Sequence, residues 1–289
     1  MISEKQKGEL SVYGQILLSS LFPVIAVLTV SVLSPLYAAA IGTGLSAIFF
    51  TAVLTVRRSW LFPKSRTVWR DVLLVTFFNG IVFYSLIFIG FKYTSAGNGA
   101  VVGLMEVFFT FIIVNLLVKH ERFIWVHALG AFLMALGALF ILMPKWNGTV
   151  NIGDLLIILA TISAPIGNMF AQRARKQLSA EILMFVRSVI ATLFLFVLAA
   201  MFEPIPKLTV LASSWPALFF SGFLYLGLSK ILWVEAIHRL SIAKTVSLSA
   251  INIPLTLLFA WILLSQSPTL EQLAATVPMI GGMFLLLRE

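Results

Sequence analysis

The chain has 289 residues, 60% of them hydrophobic and only 11% charged, with a mean hydropathy of +1.04. Soluble domains carry about 25% charged residues, so the composition excludes a soluble globular protein and describes an integral membrane one. A formal charge of +9 would suit a nucleic-acid binder, but the basic residues gather in alternate short loops, where they set membrane topology and form no phosphate-binding face.

A helix that crosses the bilayer needs about 20 apolar residues, and ten stretches qualify. The first, residues 12–33, follows Lys5 and Lys7 as the core of a signal peptide would. It is longer than such a core and no clear cleavage site follows, so it is expected to stay as a span. The second, 35–56, opens after Ser34, and the third, 71–91, holds Asn79 and Tyr84 in an otherwise apolar helix. The fourth, 94–118, carries Glu106 in its middle, within VVGLMEVFFTF. The fifth covers 124–143, and the sixth, 152–172, contains Pro165 and Asn168. Arg187 lies in the seventh, 180–202. The eighth, 215–237, has Tyr225, Ser229 and Trp233 at i, i+4 and i+8, with Lys230 beside them. The ninth, 241–264, places Asn252 two residues before Pro254, and the tenth covers 268–287.

With the N-terminus in the cytoplasm, fifteen of the twenty Lys and Arg fall inside, among them Arg57, Arg70, Arg173 and Lys244. Only Lys92, Lys145 and Lys207 fall outside, and Arg187 and Lys230 lie within spans. This asymmetry puts both termini in the cytoplasm. The plasma (inner) membrane of a bacterium is the expected location. Asn147-Gly148-Thr149 matches a glycosylation sequon in an outside loop too short to leave the membrane surface, and is read as chance. With no cysteine, disulfides and thiolate metal sites are excluded. His120, His127 and His238 show no ligand spacing, so neither a metal nor another cofactor is expected.

Shifted by 145 residues, the sequence weakly matches itself. Ser34 pairs with Ser179, Gly130 with Ala275, Gly137 with Gly282, Glu121 with Gln266 and His127 with Gln272; FFNG (77–80) pairs with FFSG (219–222) at 142. Each unit holds five spans, an odd number, so the second enters the membrane inverted. The expected fold is an all-α membrane protein: ten transmembrane helices in two inverted five-helix repeats, 1–145 and 146–289, around a central cavity.

The repeat resembles that of the EamA-type ten-helix exporters of the drug/metabolite transporter superfamily. The resemblance rests on KYTSAGNGA (92–100), HERFIWVHALG (120–130), SQSPTLEQLAATVPMIGG (265–282), IGN (166–168), the Arg187 that follows SAEILMFV, and Pro254. Where that family has an arginine in the second span this chain has Gly42, its Gly-Glu is His120-Glu121 and Ser265-Gln266, and its tryptophan in the first span is missing. The resemblance implies export of small metabolites, often amino acids, through a cavity walled mainly by spans three, four, eight and nine.

An ionisable group at the bilayer centre is costly and turns to the bundle interior or to a wet cavity. Asp71 and Asp154 are placed at helix starts, where the dipole favours a carboxylate, and Glu235 in the last turn of the eighth span; only Glu106 is mid-span. It reads either as a cavity carboxylate for a substrate amine and for protons, or as a helix–helix hydrogen bond. Lys230 either lines the cavity or snorkels. Asn79, Tyr84, Tyr225, Trp233, Asn252 and Asn168 complete the candidate substrate-binding set, with lipid-interface packing as the other reading of Trp233. Arg187 is expected to brace helix ends near the cytoplasmic mouth, and Pro254 to kink its helix. The leading function is a secondary transporter of a small polar or amphipathic solute, with substrate, lipid bilayer and protons as partners and no nucleic acid. An organophosphate or nucleotide-sugar exchanger needs more cavity cations than Arg187 and Lys230 supply. An intramembrane enzyme lacks HExxH, GxSxG and a mid-membrane aspartate pair. A structural membrane protein with no cavity is the remaining alternative.

Overall fold

The computed structural model describes residues 4–118, 125–142 and 151–286. His120, Glu121, Lys145 and the sequon at 147–149 lie outside the described residues. All regular structure among the described residues is helical. In chain order the helices are α1 (Glu4–Val32), α2 (Pro35–Arg57), α3 (Arg66–Tyr93), α4 (Ala96–Gly103 continued by Met105–Val118), α5 (Trp125–Leu142), α6 (Ile152–Ala174), α7 (Ala180–Phe202), α8 (Leu208–Arg239), α9 (residues 242–264) and α10 (Leu270–Leu286). Seven of them are long and apolar enough to cross a bilayer; α5, the second part of α9 and α10 are shorter apolar helices.

Several boundaries differ from the sequence expectation. A polar first turn, with Lys7 paired to Glu4 at 2.7 Å, extends α1 below residue 12. α3 begins at Arg66, so Asp71 does not cap a helix start as expected; it is buried, 3.5 Å from Arg173 of α6 and 3.8 Å from Arg70. α3 and α8 each contain a π-helical stretch, Thr76–Val82 and Phe220–Ser229. α9 is interrupted by a 3-10 turn at Ser249–Ile251, immediately before the segment holding Pro254.

Ser34 and Ser179, the first repeat pair, are the N-cap residues of α2 and α7. These two helices run antiparallel along each other. The Glu203 carboxylate at the end of α7 accepts the Leu36 and Tyr37 amides at the start of α2, at 2.9 and 3.1 Å. At the other end Arg57 meets Glu181 at 2.5 Å. A carboxylate on free amides at a helix start satisfies donors that the helix itself leaves unpaired.

The packing pattern maps onto itself when each helix number is shifted by five. α3 lies along α6 as α8 lies along α1; α4 contacts α6 as α9 contacts α1; α2 meets α8 as α7 meets α3; and α2–α7, α4–α9 and α5–α10 pair with themselves. Shifting by five reverses chain direction, so the two halves are inverted copies related by a pseudo-dyad. The α5–α10 seam shows it at atomic scale. A Cβ on Gly137 would lie 2.7 Å from the Ala275 carbonyl oxygen, and one on Gly282 would lie 2.5 Å from that of Gly130. These are the residues paired in the 145-residue repeat: close backbone approach requires a small residue at both places.

The two ends of the bundle are tied by different chemistry. At the N-terminal end Glu235 binds Arg239 at 2.7 Å and also Arg175; Arg239 binds Glu4, and Lys244 binds Glu9 at 2.8 Å. At the opposite end Asp154 accepts the Thr94 hydroxyl at 2.5 Å and the Asn98 amide at 3.5 Å, and Gln272 donates to Asn98 at 2.7 Å. Glu9 and Asp154 are 145 residues apart, so dyad-related carboxylates sit at the two ends.

Candidate functional site

Near the pseudo-dyad lies a cavity of about 200 Å³. Its walls come from α3, α4, α8 and α9, as expected, and also from α1, α6 and α7. Six of these seven helices are dyad mates: α1 with α6, α3 with α8 and α4 with α9. α7 lines the cavity through Met184 and Arg187, whereas its mate α2 contributes nothing to the lining.

The π-helical stretches decide which side chains reach this space. In an α-helix, residues five apart point about 140° away from each other; a π turn, with its i→i+5 bonding, brings them back to one face. Asn79 and Tyr84 of α3 are five apart and both line the cavity, as are Tyr225 and Lys230 of α8. The expected i, i+4, i+8 stripe of Tyr225, Ser229 and Trp233 is thereby corrected. Ser229 is turned into the protein, fully buried, and Lys230 takes its place. Lys230 therefore faces the cavity and does not snorkel.

Asn168 of α6 is the hub of the polar lining. Its carbonyl oxygen accepts from Asn79 at 3.0 Å and from the Trp233 indole at 3.2 Å, and its amide donates to the Glu106 carboxylate at 3.3 Å. Glu106 stands in the first turn after the helical break at Leu104 in α4. The Lys230 ammonium donates to the Tyr225 hydroxyl at 3.3 Å and lies 4.5 Å from the centre of that ring, whose face stacks on Phe22 at 3.8 Å. Arg187 is buried above the Tyr84 ring, 5.5 Å from its centre. Asn252 of α9 accepts a hydrogen bond from Ser19 of α1 at 2.9 Å.

Charge is therefore held apart. No ion pair among the described residues involves Glu106, Lys230 or Arg187. The acid is held by an amide and each cation by a phenol ring.

All eight residues of the candidate binding set, Glu106, Asn79, Tyr84, Tyr225, Lys230, Trp233, Asn252 and Asn168, line this one cavity. Pro254 does not; it is exposed on the outer face of α9. Arg187, expected at the helix ends, lines the cavity, and no described residue accepts a hydrogen bond from its Nε or Nη2. Sequence reasoning missed Gln15 and Ser19 on α1, Thr161 on α6 and Thr256 on α9. Gln15 and Ser19 carried a usable signal, since polar side chains four apart share one face of an apolar helix.

A crystal structure of a protein superposes on this chain with a TM-score of 0.70, at 16% identity, covering 96% of this chain and 95% of the other. The uncharacterized transporter YoaV of Bacillus subtilis (strain 168) is 20% identical over 221 residues, 75% of each chain. The model of the EamA-like transporter family matches twice, at residues 6–143 and 151–288, one copy to each half. The chain belongs to the EamA-like transporter family, within the drug/metabolite transporter superfamily, and is an integral multi-pass membrane transporter.

Proposed function

We propose that the protein is a secondary transporter that exports a small polar or amphipathic metabolite, an amino acid or a related compound, by alternating access of the halves 1–145 and 146–289. The observation that carries this reading is the cavity itself, which keeps one carboxylate and two cations unpaired with one another beside aromatic walls. A solute with an amine and an acid at opposite ends of an apolar body complements that arrangement. Glu106, oriented by Asn168, receives the amine and exchanges it for a proton in the return half-cycle. Lys230 and Tyr225, with Asn79, Tyr84, Trp233 and Asn252, hold the polar remainder of the solute. The process needs no covalent step and no cofactor. The fifteen-to-three distribution of basic residues supports cytoplasmic termini and a bacterial plasma membrane.

The test is reconstitution of the purified protein into vesicles, with substrates chosen by thermal-shift screening of a metabolite panel. Glu106→Gln is expected to abolish flux and its pH dependence. Full flux in that variant would remove the acid from the mechanism. A preference for phosphate esters over amino acids would redirect the reading to organophosphate exchange.

A further inference from the structure

We propose that Arg187 is the residue that receives the anionic group of the transported solute, which is therefore a carboxylate-bearing molecule. The proposal rests on the transport reading above and deepens it. Arg187 sits in the cavity wall at 2% exposure. A guanidinium keeps its charge inside a protein, and a buried charge without a partner is strongly unfavourable. No described carboxylate pairs with it, and its Nε and Nη2 find no acceptor among the described residues. The Tyr84 ring 5.5 Å away is its one charge-stabilising contact among the described residues, and a cation–π contact at that distance offsets only a fraction of the desolvation.

The fold does not require a charge there. The dyad mates of Met184 and Arg187, 145 residues earlier, are Ala39 and Gly42 on α2. There the chain closes with no charge: a Cβ on Gly42 would lie 3.2 Å from Leu226, one on Gly222 would lie 2.3 Å from Leu45, and the Ser46 hydroxyl donates to the Leu226 carbonyl at 3.0 Å. In the other half, Gly80 of FFNG takes the place of Gly222, and a Cβ there would lie 3.3 Å from the Arg187 Cγ. One architecture thus builds the same helix crossing twice, once with glycine and once with an uncompensated cation. The uncompensated version faces the cavity.

Lys230 is the other cation of the wall, but its ammonium already donates to the Tyr225 hydroxyl and rests on that ring. Arg187 has spare donors in a planar fork, the geometry that grips a carboxylate with two parallel hydrogen bonds.

The test melts the purified full-length protein with two probes. 3-Phenylpropionate is a carboxylate without an amine, and phenethylamine is an amine without a carboxylate. Without either, Arg187→Gln is expected to melt at or above the wild type, because an unpaired buried charge has gone. 3-Phenylpropionate is expected to raise the wild-type midpoint and to bind Arg187→Gln roughly tenfold or more weakly. Arg187→Lys, which keeps the charge and loses the fork, falls between and carries the comparison should Arg187→Gln not fold. Phenethylamine binding is expected to be unchanged by either substitution. A lower midpoint in empty Arg187→Gln with undiminished 3-phenylpropionate binding would overturn the proposal, as would a wild type that 3-phenylpropionate does not stabilise. In both of those cases loss of flux in Glu106→Gln leaves the transport reading standing. A wild type that carries no solute of the panel sinks that reading separately.

Discussion

Asn168 holds three helices' worth of site chemistry through one amide, since Asn79, Trp233 and Glu106 all bond to it. Asn168→Ala leaves an indole, an amide and a carboxylate to find other partners. A buried polar group that loses its partner costs about 1–3 kcal/mol; water in the cavity recovers part of this. The expected outcome is a lower melting midpoint together with impaired flux in vesicles. An unchanged midpoint would mean that the cavity water already satisfies these groups. At this scale the sequence was partly legible, because polar side chains inside apolar spans stand out by their cost. Eight residues that line the cavity were marked for that reason, while Gln15, Ser19, Thr161 and Thr256, polar in the same way, were passed over. The state of Arg187 was not, because its lack of a partner depends on what α3 and α8 bring near it, and no local pattern records that.

Helix α3 packs so closely on α6 that a Cβ on Gly153 would lie 2.6 Å from the Gly90 carbonyl oxygen, and 2.9 Å from the Thr94 nitrogen and the Tyr93 carbonyl carbon. All three are backbone atoms, so α3 would have to move. Gly103, facing the cavity, would meet nothing within 4 Å. Both glycines gain similar helix propensity on becoming alanine, so comparing the two variants isolates packing. Gly153→Ala is expected to cost about 1–3 kcal/mol, as overpacking does, and Gly103→Ala to stay within about 0.5 kcal/mol of wild type or above it. Thermal midpoints in detergent check both. The elements themselves were only partly readable. Apolar length locates spans, but it ends where polar residues begin, so the extensions of α1 and α3 beyond the apolar core were lost. The π turns were lost as well, because a fixed 3.6-residue period has no place for an extra residue. Their effect is concrete: Lys230, not Ser229, shares the cavity face with Tyr225.

The pseudo-dyad was legible because both halves face the same constraints. Both α2 and α7 start at a serine, Ser34 and Ser179, although only Ser179 accepts a capping amide and Glu203 serves the start of α2; a seam of touching backbones needs small residues, hence Gly137 and Gly282. What ties the ends together was not legible, since it joins residues from distant parts of the chain such as Glu4 and Arg239. The alternating access proposed above would open the N-terminal end in one half of the cycle, which means parting Glu235 from Arg175 in the turn between α6 and α7. Cysteine reports on this cleanly, because the chain has none of its own. In a Ser249→Cys background, Ser249 being a cavity-wall residue, Glu235→Gln is expected to speed modification by a thiol reagent applied from the N-terminal side several-fold. An unchanged rate would show that this ion pair does not hold that end closed. Every ion pair among the described residues gathers at this same end, and several are open to solvent. Screening shortens from about 8 Å at physiological ionic strength to about 3 Å at 1 M. Concentrated electrolyte alone would therefore loosen this mouth, leaving the resting protein ajar toward one compartment before any solute arrives.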